Sequence, residues 1–470
     1  MRSACTNVKK MNKEETPKTA APAHAGPLWR TFLIFLAPMI LANLLQGLSA
    51  TVNAFFIGQM LGTRALAAVA GVFPILFVIV SLILGVGAGA SVLIGQAWGA
   101  REPHKVKAIA GTAIALGLLL AAVVAVFGGF FTESMLRLLS TPTDVFELAS
   151  RYTRVMLLAL PGLLVFMLMT QLMRGVGDTV TPLLALVIST AVTCFVTPAL
   201  IRGWFGLPQL DVASGAAAAI ASSLCALAFL AIYMRGKNHP LAPDAELLRD
   251  IRINPQLLKL VFRIGMPTAV QMIALSLSEV VLVKIINSFG SDATAAYGAV
   301  NQVMNYVQFP AISIAITASI LGAQAIGAGR AERLGEIVKT GLMLNVVLTG
   351  ALVVLGYVFS RRIVALFITS EPVVDMAQTL LHIMLWSIVL FGFAGVIGGI
   401  MRASGTVLVP TAITIFCVAV IELPSAYLLS GPYGLNGVWM AYPITFGSML
   451  VLQTAYYRLV WRKKKIERLV

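Results

Sequence analysis

Twelve long apolar runs, in two groups of six, constrain the fold of this chain more than any other feature. A helix that crosses a bilayer needs about 20 mostly apolar residues, and every run reaches that length. The runs fall near residues 28–60, 66–98, 106–130, 146–172, 180–202 and 213–234, and then near 257–288, 294–325, 335–359, 374–400, 407–429 and 436–459. They predict an all-α polytopic membrane protein with twelve transmembrane helices.

The composition indicates that lipid is the solvent around most of the chain. Of the 470 residues, 59% are hydrophobic and 11% are charged, whereas a soluble domain carries about 25% charged residues. The net charge of +15 invites a nucleic-acid interpretation, but basic residues also crowd the short loops of inner-membrane proteins. We therefore expect the lipid bilayer, and no nucleic acid, as a partner.

Neither a metal site nor an enzymatic motif is apparent in the sequence. The four cysteines have no paired spacing, and three of them lie within apolar runs, which argues against a disulfide framework or a zinc site. The motifs GxxxxGK[ST] and HExxH are both absent from the sequence. We expect no enzymatic activity and no cofactor, apart from a coupling ion.

The loop charges predict the orientation of the chain. With both termini on one side, 26 Lys and Arg residues lie on that side and seven on the other, which predicts cytoplasmic termini in a bacterial inner membrane. We divide the chain into a disordered tail (1–27), an N-lobe (28–234), a cytoplasmic linker (235–256), a C-lobe (257–460) and a basic tail (461–470). The first tail has no apolar segment of the kind found in a signal peptide.

An internal repeat relates the two groups of runs. The stretch Met173–Pro182, MRGVGDTVTP, matches Met401–Pro410, MRASGTVLVP, 228 residues later. Six spans return a chain to the same side of the membrane, so the two copies share one orientation. We therefore expect two six-helix lobes related by a pseudo-two-fold axis along the membrane normal, with the substrate site in the cleft between them. A channel built from two such repeats remains an alternative, but no filter-like sequence is present.

Several motifs carry a resemblance to a known family. They are NAFFIGQMLGTRALAAVAG (53–71), GASVLIGQAWGAR (89–101) and MRGVGDTVTP (173–182), with their echoes SFGSDATAAYGAVNQV (288–303), ASILGAQAIGAG (318–329) and MRASGTVLVP (401–410). Over nearly the whole chain the sequence resembles the multidrug and toxic compound extrusion (MATE) family. The resemblance implies a twelve-helix exporter of amphipathic, often cationic, drugs, driven by an inward proton or sodium gradient.

Two acidic residues lie deep within predicted spans. Glu279 is in span seven and Glu422 is in span eleven, both in the second lobe. An ionisable residue in a span costs about 2.5–3.5 kcal/mol even on the lenient insertion scale, so each is a candidate for ion coupling. Competition between a proton or sodium ion and a cationic drug for one carboxylate would give antiport. The alternative is a carboxylate that a neighbouring helix satisfies.

The first lobe departs from the family pattern. Where the resemblance implies an acid late in span one and another in span five, the sequence has Asn53 and Thr197. Their oxygens remain candidates for substrate binding or for sodium coordination. Glu279 resembles the acid of the sodium-coupled type, but the position of that type's second acid falls near Phe391. The sequence therefore fits neither coupling subtype, and the coupling ion stays open.

Amides and aromatic side chains in span eight suit an amphipathic cation. Asn301, Gln302, Asn305, Tyr306 and Phe309 form this set, and Gln46, Gln171 and Gln271 are further candidates for substrate binding. The same amides would serve equally as hydrogen bonds between helices. Met272 and Met304 suit an adaptable pocket, and His382 is either a proton carrier or a packed residue.

Arg174 and Arg402 stand at equivalent positions in the two repeat loops. We predict that they anchor the loop ends and contact the carbonyl groups at helix C-termini. The whole sequence then predicts a monomeric multidrug efflux antiporter that works by alternating access. A flippase for lipid-linked saccharides, of related architecture, is the alternative. A membrane-embedded enzyme would need a constellation of catalytic residues that the sequence does not show.

Overall fold

The computed structural model describes residues 27–138, 143, 145–368 and 370–470. The predicted disordered tail therefore lies outside the described residues, apart from Pro27. Twelve helical segments of the described part are long and apolar enough to cross a membrane, which confirms the predicted number of spans. The helices of the N-lobe and the linker are α1 (Leu28–Leu61), α2 (Thr63–Gly99), α3 (Pro103–Leu138), α4 (Phe146–Val176), α5 (Val180–Arg202), α6 (Ala213–Gly236) and α7 (Ala245–Asp250). Those of the C-lobe are α8 (Pro255–Asn287), α9 (Ser291–Gly327), α10 (Leu334–Leu344), α11 (Gly350–Ala365), α12 (Glu371–Leu385), α13 (Ser387–Ala403), α14 (Leu408–Phe416), α15 (Leu423–Tyr433) and α16 (Leu435–Leu459).

Three spans of the C-lobe are divided, whereas their N-lobe counterparts α3, α4 and α5 are single helices. A π-helical turn, Asn345–Thr349, joins α10 to α11, and a second one, Cys417–Glu422, joins α14 to α15. Between α12 and α13 the helix is interrupted at Trp386. A π turn changes the direction in which the following side chains point, and such turns occur often at functional sites. The two lobes have thus diverged in backbone as well as in sequence.

The backbone reproduces the repeat most closely in α2 and α9. Both helices contain 37 residues, and both begin after a glycine with positive φ, 86° at Gly62 and 103° at Gly290. Only glycine adopts such a conformation without strain. Gly177 and Gly405, which follow α4 and α13 in the two repeat loops, also have positive φ. These matching helix ends confirm the predicted duplication.

The two lobes meet mainly where α2 packs against α8 and α9, and where α1 packs against α9. The closest approach is between the ends of α2 and α9. A Cβ atom on Gly99 would lie 2.1 Å from the carbonyl oxygen of Gln324, and one on Gly327 would lie 1.9 Å from that of Gln96. We call the side of the protein that carries these helix ends, residues 235–256 and the C-terminal residues the linker face.

Large apolar side chains cover the outside of the bundle. The exposed fraction reaches 84% for Phe130, 81% for Leu366 and 74% for Ile232. Contiguous apolar surface of this kind is rare on soluble monomers. It is the surface expected of helices that face lipid hydrocarbon.

The linker is fastened to the N-lobe. Asp244 caps α7 by accepting a hydrogen bond from the Leu247 amide at 2.8 Å. The Lys107 ammonium donates to Asp244 at 2.5 Å and to Glu246 at 2.6 Å, and His104 also pairs with Glu246. The predicted linker therefore contains a short helix that three charged contacts hold against α3.

The C-terminal segment crosses from one lobe to the other. Trp461 is buried and donates from its indole nitrogen to Ser404 Oγ at 3.0 Å, within the C-lobe. Arg468 then pairs with Glu102 at 2.8 Å, and the Leu469 amide donates to Gln96 Oε1 at 2.8 Å. The predicted basic tail thus runs over the linker face and binds the N-lobe.

Candidate functional site

A cavity of about 460 Å³ lies between the two lobes. Its wall comes from α1, α2, α4, α5, α8, α9 and α13. Both members of five repeat-related pairs line it: Leu84 and Ile312, Ala88 and Ile316, Ser91 and Ser319, Val92 and Ile320, Arg174 and Arg402. The cavity therefore straddles the pseudo-two-fold axis, where the duplication predicts the substrate site.

Three predicted substrate-binding glutamines line this cavity: Gln46, Gln171 and Gln271. Met272 lines it as well. Asn43 and Thr268 are polar lining residues that sequence reasoning missed. Asn43 also donates to Ser313 Oγ across the lobe interface at 3.1 Å. Its amide inside an otherwise apolar run was the signal that would have identified it.

The predicted contact of Arg174 and Arg402 with helix-end carbonyls is wrong, because among the described residues neither guanidinium donates to a backbone carbonyl, and Arg174 donates to the Gln171 side chain. The Gly177 amide donates to Arg174 O at 2.9 Å, and the Gly405 amide donates to Arg402 O at 2.9 Å. This is the usual way in which a glycine with positive φ ends a helix. Both arginine side chains instead line the central cavity.

The two acids within spans come together in the C-lobe, where Glu279 is exposed and Glu422 is buried. Glu279 accepts hydrogen bonds from Asn301 Nδ2 at 2.9 Å and from the Tyr297 hydroxyl at 3.2 Å. Glu422 is close enough for its charge to interact with that of Glu279. The pair therefore consists of Glu279 from α8 and Glu422 from the second π turn. Helix α9 supplies the hydrogen-bond donors to Glu279.

Glu422 is the last residue of the π turn Cys417–Glu422 and only 6% of it is exposed. Within the described part of the chain it has no hydrogen-bond or ion-pair partner. A buried ionised carboxylate without a partner costs several kcal/mol, so such a group binds either a proton or a cation. Both options provide the chemistry of ion coupling.

Aromatic side chains surround the acidic pair. Tyr297 stacks on Trp439 with the ring centroids 5.3 Å apart, and Trp439 stacks on Tyr442 at 6.3 Å. The Tyr297 and Tyr442 hydroxyls interact with each other. Sequence reasoning missed this wall, because its members come from α9 and α16, which only the fold brings together.

The neutral first-lobe candidates pair with each other. Thr197 is fully buried, and its hydroxyl donates to Asn53 Oδ1 at 3.4 Å. This contact joins α5 to α1 within the N-lobe. The structure therefore places Asn53 and Thr197 in a different lobe from Glu279 and Glu422.

The predicted span-eight set divides into separate contacts. Asn301 binds Glu279, whereas Gln302 donates to the Tyr306 hydroxyl at 3.4 Å. Tyr306 contacts the Phe309 ring edge to face at 5.7 Å, and both rings approach Gly47 of α1. Asn305 is exposed. These aromatic residues thus lie at the α1–α9 contact between the lobes, outside the lining of the central cavity.

Met304 and His382 are packing residues. Met304 is 1% exposed and belongs to the C-lobe core, so its prediction as a pocket residue is wrong. His382 Nε2 hydrogen-bonds with Ser360 Oγ at 2.9 Å, and its ring packs on Tyr357. This agrees with the packed interpretation of His382 rather than with a proton carrier.

Comparison with known proteins matches this architecture to one family. The MatE family model matches residues 38–199 and again residues 267–428, once in each lobe. The probable multidrug resistance protein YoeA of Bacillus subtilis is 41% identical over 462 residues, which cover 98% of this chain and 100% of that protein. The multidrug export protein MepA of Staphylococcus aureus is 24% identical over 415 residues, 88% of this chain and 90% of its own.

A solved structure shows the same fold. A mutant of the MATE transporter VcmN from Vibrio cholerae superposes with a TM-score of 0.86 at 20% identity. The superposition covers 93% of this chain and 98% of that one. The predicted family resemblance and the predicted two-lobe fold are thereby confirmed.

Proposed function

This chain belongs to the MatE family of membrane transport proteins, which are not enzymes, and we propose that it is a multidrug efflux antiporter. It exports amphipathic, mostly cationic compounds from the cytoplasm in exchange for protons or sodium ions. The names of the Bacillus and Staphylococcus relatives support drug export. The protein works as a monomer in the bacterial cytoplasmic membrane.

The unpartnered carboxyl group of Glu422 beside Glu279 is the observation that carries the antiport mechanism. Neighbouring carboxylates on two spans favour binding of a cation or a proton, because each ionised form repels the other. A cationic drug that pairs with this site competes with the coupling ion. Entry of the ion from outside then releases the drug.

The distribution of contacts between the lobes supports alternating access. Across the described helices, the hydrogen bonds between the lobes all lie in the half nearer the linker face, at Met39, Asn43, Gln96 and Gln324. The lobes are therefore fastened on one side only, as a rocking mechanism requires. The excess of Lys and Arg on the linker face makes that face cytoplasmic.

Ethidium uptake into inside-out vesicles tests the antiport proposal. Glu279→Gln and Glu422→Gln should each abolish ion-driven uptake while expression stays intact. Glu371→Gln is a matched control, because Glu371 is an exposed acid that pairs with Arg361 at the end of a helix. Imposing one ion gradient at a time identifies the coupling ion.

Two results contradict the antiport proposal. One is full uptake by Glu279→Gln, which shows that this carboxylate is not needed. The other is wild-type uptake that persists after both the proton and the sodium gradients are collapsed.

The alternative function is a flippase for lipid-linked saccharides. We expected the buried charges to be mostly acidic, yet two arginines line the cavity, and this favours a substrate with an anionic group. The cavity volume of about 460 Å³ suits a drug-sized ligand, however, and not a saccharide chain. Translocation of a lipid-linked saccharide in proteoliposomes that depends on Arg402 would favour the flippase.

A further inference from the structure

Arg174 and Arg402, which the repeat relates to each other, line the central cavity and have no acidic partner among the described residues. Arg174 Nη1 donates only to Gln171 Oε1, at 3.2 Å. Arg402 has no hydrogen bond or ion pair to any described residue. Each guanidinium offers five N–H donors and cannot lose its charge in a protein. Nearly all of this donor capacity is therefore unused by the protein itself.

The acids in the described part of the chain do not compensate these charges. Among the described residues that line the cavity, none is Asp or Glu. Asp178, four positions after Arg174, accepts from the Val180 and Thr181 amides at 3.1 and 3.0 Å and from the Thr181 hydroxyl at 2.5 Å. The equivalent position after Arg402 is Thr406. Two guanidinium groups in one cavity without a counter-ion are unfavourable until an anion binds.

The rest of the cavity wall is apolar with a few amides. Phe166, Ile316 and Phe391 are among its apolar members, and Gln46 and Gln271 are among its amides. This combination of apolar wall and few polar groups is typical of sites for amphipathic small molecules. The arginines thus add a strong anion-binding element to a drug-sized apolar cavity.

We propose that Arg174 and Arg402 form an anion-binding subsite at the linker-face end of the cavity, which binds the carboxylate or phosphate group of an amphipathic substrate. Planar guanidinium groups bind both anions through paired hydrogen bonds. The inference rests on the proposed export function and extends its substrates to zwitterionic amphiphiles.

The separation between the two arginines and the two acids determines how a bound zwitterion is oriented. Gln271 lines the cavity and Glu279 lies eight residues further from the linker face, about 12 Å at 1.5 Å per residue. Arg174 and Arg402 are close to the linker-face ends of α4 and α13. A bound zwitterion therefore has its anionic group at the arginines and its cationic group directed towards Glu279 and Glu422.

A matched pair of dyes tests the subsite by binding alone. The purified protein in nanodiscs of phosphatidylcholine, without any ion gradient, is titrated with a rhodamine that carries a free carboxylate and with its methyl ester. The wild type should bind the carboxylate dye about tenfold more tightly, the effect expected of one charge-assisted pair. Arg174→Gln and Arg402→Gln should reduce the ratio of the two Kd values to within about twofold.

Control variants separate the arginine pair from a general effect of positive charge. Arg174→Lys and Arg402→Lys should keep most of the preference, because the charge remains. Arg235→Gln should leave the ratio unchanged, since Arg235 donates to Pro243 O in the linker, outside the cavity. Equal wild-type affinity for the two dyes overturns the subsite without recourse to any variant. An unchanged ratio in the double variant Arg174→Gln/Arg402→Gln overturns it too.

Nanodiscs that contain phosphatidylglycerol distinguish the source of the anion. If the headgroup of an anionic lipid occupies the subsite, affinity for the carboxylate dye falls in these discs while affinity for the ester does not. If affinity is unchanged, the anion is that of the soluble substrate. Because the assay uses no gradient, a protein that shows the preference but fails to transport refutes antiport and leaves the subsite standing. Ion-driven ethidium transport without the dye preference refutes the subsite alone.

Discussion

Gln96 and Gln324, 228 residues apart in the repeat, make the same hydrogen bond from one lobe to the other. Gln96 Nε2 donates to Ala403 O at 2.8 Å, and Gln324 Nε2 donates to Gly175 O at 3.1 Å. Each acceptor carbonyl directly follows a cavity arginine, Arg402 or Arg174. The two glutamines therefore fasten the lobes together at the linker face and fix the helix ends from which the arginines project.

Replacing Gln96 or Gln324 by Leu should favour opening of the linker face. Each hydrogen bond contributes about 1 kcal/mol, roughly a fivefold shift in the ratio of open to closed states. Hydrogen exchange at residues 96–102 and 324–330 should accelerate in both variants. Gln378→Leu, which removes a hydrogen bond to Ser360 within the C-lobe, is the control. Equal acceleration in that control would show that the effect is not specific to the lobe interface.

The glycine crossing of α2 and α9 should tolerate no side chain. Gly327→Ala places a Cβ 1.9 Å from Gln96 O, so the helices must separate. We expect a loss of about 1–3 kcal/mol in the closed state, seen as a lower thermal unfolding temperature in detergent. Gly298→Ala in the same helix meets no atom within 4 Å and should unfold at or above the wild-type temperature. Similar unfolding temperatures for the two variants would contradict the close packing.

Removal of residues 466–470 should loosen the linker face. The deletion eliminates the Arg468–Glu102 ion pair and the hydrogen bond from the Leu469 amide to Gln96. Gln96 then keeps only its bond to Ala403, and exchange at residues 96–102 should be faster than in the full chain. Lys465→Gln is the control, because it removes only an ion pair with Glu467, which does not join the C-terminal residues to the N-lobe. Exchange rates that match the full chain would show that the C-terminal segment does not hold the lobes together.

The linker contact with α3 should depend on pH. The hydrogen bonds from Lys107, and then from His104, hold the pKa of the Glu246 carboxyl below its usual 4.5. A carboxyl group whose pKa is lower in the folded than in the unfolded protein stabilises the folded state at pH values above its usual pKa. This stabilisation is lost as the pH falls through the lowered pKa. Lys107→Met should therefore unfold at a lower temperature than the wild type at pH 7, with a small difference because Glu246 is partly exposed. The difference should vanish in acid, and a constant difference at all pH values would exclude the ion pair as its cause.

The fold could be predicted because its signals are local and repeated. Run length and low charge indicate twelve spans whatever their packing, since a helix in lipid must satisfy its own backbone hydrogen bonds. The repeat also appears in the backbone, where the Gly62/Gly290 and Gly177/Gly405 pairs all have positive φ at helix ends. The π turns of spans nine and eleven gave no such signal, because a π turn depends on how neighbouring helices pack.

The site was only partly predictable, because the role of a side chain depends on which other groups surround it in the fold. The sequence determined that Glu279 and Glu422 lie within spans and that the two lobes enclose a cleft. Only the tertiary structure decided that these acids meet beside Tyr297 and Tyr442, which come from distant helices. The tertiary structure also decided where the side chains of Arg174 and Arg402 point. Backbone amides donate to the carbonyl oxygens of Arg174 and Arg402, and both guanidinium groups lie in the central cavity between the lobes.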